Sequence, residues 1–160
     1  MAEITRRSFV QALIRMGDRP RFRDLDLSEL DLHGIDLHGA DLSLAELLRC
    51  DLSHANLRDA SLTQTVLAET NLANADLRCA NLEKANLWLA NLEGADLAGA
   101  NLTEANLSGS NLEGVDLLQA DLTDADLTHA VLKDARINMD QLAHVKSLRG
   151  ATLPDGSRHS

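Results

Sequence analysis

From Leu27 to Leu132 every fifth residue is leucine, 22 in succession without an insertion, and Phe22 and Ile137 extend the series to 24 units. A helix cannot keep such a series on one face, because five helical residues advance about 500° and the leucines would spiral around the axis. An extended backbone can. The residue two before each of these positions is alanine in 15 of 24 units, with Cys50, Thr65, Thr70 and Ser110 as small replacements, and Asp or Asn stands between in 18 of 24. Alternate side chains of a strand point the same way, so alanine and leucine face inward together and the Asp or Asn faces out. The last two positions of each unit are mostly polar and must turn the chain. Six of the nine glycines, Gly94 and Gly114 among them, hold the second of these positions, where a type II turn needs positive φ.

If each corner turns the chain by a right angle, four units close a coil, and coils stack through backbone hydrogen bonds at roughly 4.8 Å. Twenty-four units predict six coils and a rod about 30 Å long. The fold class is all-β, a solenoid over residues 20–139, with helix confined to the ends. A solenoid leaves an open coil at each end, so terminal segments of different character are expected. Residues 1–19 form the first cap: residues 3–16 read as an amphipathic helix, with Ile4, Phe9, Val10, Leu13 and Ile14 apolar, lying over the first coil. Residues 140–160 form the second. Asn138 followed by Gln141 resembles a capping box that starts a helix over MDQLAHVK, Ala151–Asp155 reads as a last unit in shifted register, and the final GSRHS is expected to be mobile.

The units ANLEK ANLWL ANLEG ADLAG ANLTE ANLSG, and with them residues 20–139, resemble the pentapeptide-repeat family, whose consensus is A(D/N)LXX. That resemblance implies a right-handed quadrilateral β-helix with helical caps, and a bacterial source. Some members imitate the shape and charge of duplex DNA and occupy the DNA-binding saddle of a type II topoisomerase such as DNA gyrase, so inhibition or protection of that enzyme is the alternative function the resemblance brings. The present chain shares the acidic rod. It departs in using Leu where those members often use Phe, and in having no loops between coils.

Composition narrows the rest. With 2% aromatic residues the core must be aliphatic, and two cysteines make no disulfide framework, which fits the cytoplasm. The first 20 residues carry an acid at position 3 and no small-residue cleavage site, unlike a signal peptide, and no apolar stretch is long enough to span a membrane. Residues 20–139 hold 21 acids and 8 bases, whereas the caps are slightly basic. Such a surface disfavours direct binding of nucleic acid through its phosphates.

Nothing in the chain reads as catalytic, and no cofactor is expected. Eleven acids, including Asp26, Asp31, Asp36, Asp41 and Asp51, hold the strand position that Asn fills elsewhere, which assigns them to local backbone hydrogen bonding at the corners. His33 and His54 fall on one side in adjacent coils and His38 lies a corner away, but a third convergent metal ligand is missing. Cys50 replaces an inward alanine, Cys79 points outward, and no phosphate loop or activated nucleophile appears. The expectation is a non-enzymatic scaffold for protein partners.

A twenty-residue period places Leu48, Ala68 and Trp88 at the same corner of three consecutive coils. Val66 replaces Asp or Asn in the middle coil, Leu89 follows Trp88, and Leu44 lies at the adjoining corner. Together these six are the candidate interaction patch, around the only Trp of the chain, for a protein partner or a second copy in a homodimer.

Overall fold

The computed structural model describes residues 4–17 and 19–160. Its backbone pairs in parallel at an interval of 20 residues, from Arg21 with Asp41 to Asp116 with Arg136, so four five-residue units make one coil. Each unit contributes three bonds to the next coil: Leu82 N–H donates to Asn101 O at 2.7 Å, Lys84 N–H to Thr103 O at 2.9 Å, and Asn101 N–H to Ala80 O at 3.0 Å. The corner closes on itself through Ala85 N–H to Leu82 O at 3.0 Å.

Inside, the leucines from Leu27 to Leu132 are no more than 2% exposed, and the alanines two residues before them are nearly as covered. The four small replacements need a partner wherever they bring a polar atom inward. Thr65 and Thr70 donate to the Leu42 and Leu47 carbonyls at 2.9 and 2.6 Å, Ser110 donates to Leu107 O at 2.7 Å, and Cys50 Sγ lies 2.9 Å from Leu27 O. Among the described residues no buried side-chain nitrogen or oxygen lacks a partner.

Positive φ turns out to be a property of every corner rather than of glycine. All second corner positions from Arg19 to Asp134 have φ between 54° and 70°, and eighteen of them are not glycine. The left-handed region costs an L-residue about 1 kcal/mol or more. Stacking on neighbouring coils imposes it nonetheless, because only this turn returns the next alanine to the core.

The first cap is helix α1, Arg6–Met16, opened by Thr5, whose Oγ1 accepts from Ser8 N–H at 3.2 Å. Residue 3, where the sequence places its start, lies outside the described residues. Phe9 is buried against Phe22 of the first coil, ring centroids 4.4 Å apart. Ile14 does not join this face and is 76% exposed. At 100° per residue it stands about 140° around the helix from Phe9. Arg6 closes part of the open edge, donating to Asp31 O at 2.5 Å and His33 O at 3.2 Å.

At the other end helix α2 spans only Met139–Leu142, half the length expected, because the chain rejoins the solenoid at Ser147, paired with Asp126. The pairing interval is now 21, and it carries on to Val131 with Thr152. Gln141 acts as the plug. Its Oε1 accepts from Asn138 N–H at 2.9 Å, and its Nε2 donates to the Leu117 and Ala120 carbonyls at 2.7 Å each. The tail does not trail away as the sequence suggested: Thr152 pairs antiparallel with Arg158, Gly150 N–H donates to His159 O at 2.9 Å, and His159 N–H donates to Ala151 O at 2.8 Å. Bending back in this way covers an edge that would otherwise offer unpaired backbone groups.

Candidate interaction surface

The outward Asp and Asn side chains do the same local work in coil after coil. Each accepts, through Oδ1, the N–H two residues on: Ser28 to Asp26 at 3.0 Å, Ser108 to Asn106 at 3.1 Å, Thr123 to Asp121 at 3.0 Å. Stacked asparagines also join coils, with Asn91 donating to Asn71 at 3.2 Å and Asn111 to Asn91 at 3.1 Å. Between the stacked Asp76 and Asp96 a cation intervenes, Arg78, at 2.5 Å from the first and 3.6 Å from the second. Hydroxyl donors hold two of these carboxyls below the usual range, Ser53 for Asp51 and Thr123 for Asp121.

His33 and His54 meet edge to face with centroids 5.3 Å apart, and His33 Nδ1 lies 2.9 Å from Ser53 Oγ. That serine already donates its proton to Asp51 Oδ1 at 2.6 Å, so His33 is its donor and is not placed to activate it. His38 approaches Asp59 at 3.9 Å. Burial pushes the Cys50 thiol up to about 11, leaving it an inert core group at neutral pH. Cys79 is exposed.

The six residues of the patch separate into three kinds. Trp88, Leu89 and Leu44 are 44%, 47% and 40% exposed, and they share the set of exposed large apolar side chains with residues of the two caps. Leu48 and Val66 are half-buried. Ala68 offers almost no surface at 5% exposure; standing between Leu48 and Trp88 in the corner column, it is the floor of the patch and not part of its face. The column is held by Arg49 N–H to Ala68 O at 3.1 Å and Glu69 N–H to Trp88 O at 2.9 Å. Leu44 stands apart, one corner back, with the outward Glu46 between it and Leu48. Leu44 and Leu89 also sit at left-handed corners, φ 64° and 54°, a feature that residue spacing did not reveal.

A stack of coils with repeating side-chain ladders, closed at both ends by its own cap and tail, defines a repeat scaffold. Residues 21–138 match the pentapeptide repeats, in eight copies over the segments 21–59, 50–88, 75–114 and 100–138, and the chain belongs to that family. Its fold is the family's right-handed quadrilateral β-helix. Among solved structures it is similar to the pentapeptide repeat protein Rfr23 from the cyanobacterium Cyanothece 51142, with 30% identity, TM-score 0.55, and 81% of this chain and 99% of that one covered. A pentapeptide repeat protein of the Arabidopsis thaliana thylakoid lumen is 27% identical, TM-score 0.56, covering 87% of this chain and 83% of the other. QnrB1, a plasmid-mediated fluoroquinolone resistance protein, is 20% identical with TM-score 0.47 over 76% of this chain and 67% of its own, a likeness too slight to bear on function. No curated protein matches the chain by sequence. Among the described residues no helix is long and apolar enough to cross a membrane.

Proposed function

We propose that this protein is a non-enzymatic scaffold that binds a protein partner through the strip formed by Leu48, Val66, Trp88 and Leu89, with Leu44 at its margin. The observation that carries this reading is the placement of Leu44 and Leu89. At a second corner position glycine relieves the backbone and a polar residue suits the solvent. Leucine does neither, being branched, apolar and exposed at positive φ. Such a choice is costly in the free protein and is explained by a surface that becomes covered. Trp88 adds the large, rigid side chain on which binding energy concentrates.

The test compares wild type with Leu48→Ser/Trp88→Ser for retention of partners from cells that make the protein, alongside melting temperature. Loss of a retained protein at nearly unchanged melting temperature supports the strip. Inhibition of DNA gyrase supercoiling that is equal for wild type and the double variant would replace this reading with the duplex-mimic one.

A further inference from the structure

The geometry points to a specific chemistry for that partner: an apolar segment flanked by Lys or Arg, rather than a second copy of this chain, a conclusion that rests on the strip being an interface. The face that carries Trp88 is unevenly charged. Asp26 and Glu29 in the coil below Leu48, and Glu46 beside it, are all exposed, and none has a cation within 4 Å among the described residues. Arg49 of the same column, and Lys84 at the adjoining corner, are already engaged. Arg49 grips Glu69 through Nε at 3.0 Å and a second nitrogen at 3.3 Å, while Lys84 lies between Glu83 at 3.4 Å and Glu104 at 3.5 Å. The strip therefore has a dry end, at Trp88 and Leu89, and an acidic end, at Glu46, Glu29 and Asp26.

Spacing sets the scale of the ligand. Leu48 and Trp88 are two coils apart, about 10 Å, and the carboxylates extend one coil further. A short segment with two apolar anchors followed by two or three basic residues spans both ends. A symmetric dimer does not satisfy the same surface, because a two-fold pairs one patch with itself. With the axis along the rod it opposes like carboxylates. With the axis across the rod it lays Glu46 and Glu29 over the partner's Trp88 and Leu89, desolvating unpaired charges.

The single Trp makes its own probe, since covering Trp88 shifts its emission to the blue. The full-length protein is titrated with three Trp-free peptides: two phenylalanines followed by three lysines, the same peptide with glutamates for lysines, and a serine-lysine peptide without the phenylalanines. The expected result is a saturable blue shift with the first only, weakened about tenfold by Glu46→Lys and in high salt, and lost in Leu48→Ser, with melting temperature checked for each variant. Equal binding of the glutamate peptide, or no effect of Glu46→Lys in a folded variant, overturns the inference. A dimer in light scattering that Leu48→Ser dissolves overturns the basic partner while leaving the strip an interface. A monomer with no spectral response to any peptide overturns both.

Discussion

Leu89 of one coil lies across Gly109 of the next, so closely that a β-carbon at Gly109 would sit 2.7 Å from Leu89 Cδ2. Gly109 also has φ +69°, and an alanine there meets both backbone strain and a clash. Gly114, with φ +67° and nothing within 4 Å of its would-be β-carbon, meets the strain alone. Gly114→Ala should cost about 1 kcal/mol and Gly109→Ala about 1 kcal/mol more, as read by denaturant unfolding. Adding Leu89→Ala to Gly109→Ala should recover that second part. If the two glycine variants unfold alike, the exposed Leu89 side chain turns aside at little cost.

Leu82 is fully buried in the middle coils, whereas its neighbour Glu83 projects to the surface. Replacing Leu82 with alanine should cost about 2 to 5 kcal/mol, and the same change at Glu83 less than about 0.5 kcal/mol. Equal shifts in the unfolding midpoint would invalidate the inward and outward assignment on which the fold rests.

The hydroxyl and N–H bonds to Asp51 and Asp121 lower the folded pKa of each. Their contribution is therefore complete above the unfolded aspartate value of about 3.9 and is lost as pH falls through the lower folded values. Asp121→Asn keeps an acceptor for Thr123 N–H but cannot titrate. Stability measured from pH 7 to pH 2 should fall less steeply below about pH 4 in this variant than in wild type. A parallel pair of curves would show that the Thr123 bonds do not favour the charged form.

Gln141 satisfies two carbonyls of the last full coil with one amide group. Gln141→Ala should destabilise by about 1 to 3 kcal/mol, and hydrogen exchange should report it first in the coil that contains Leu117 and Ala120. Gln141→Glu removes the donor but retains the Oε1 that accepts from Asn138, so it should resemble the alanine change if the plug matters more than the helix start. Wild-type stability in Gln141→Glu would assign the role to the helix instead.

The five-residue period by itself determined the coil, the inward leucines and alanines, the small replacements at Cys50, Thr65, Thr70 and Ser110, and the Asp and Asn that cap each corner. These are local consequences of alternation and turning, repeated often enough that one unit predicts the next. Counting by twenty also brought Leu48, Ala68 and Trp88 into one column. Only the tertiary structure decided what stacking does to them: Ala68 is buried by its neighbours, Leu89 lies over Gly109, and Glu46 separates Leu44 from the strip. The same holds at the corners, where glycine marked six left-handed turns and packing between coils imposed the other eighteen on other residues, leucine, glutamate and arginine among them. At the ends the repeat stops, and with it the local rule. There the one-residue shift after α2, the Gln141 plug and the returning tail depend on which backbone groups the last coil leaves unpaired, a property of the assembled rod and not of any single unit.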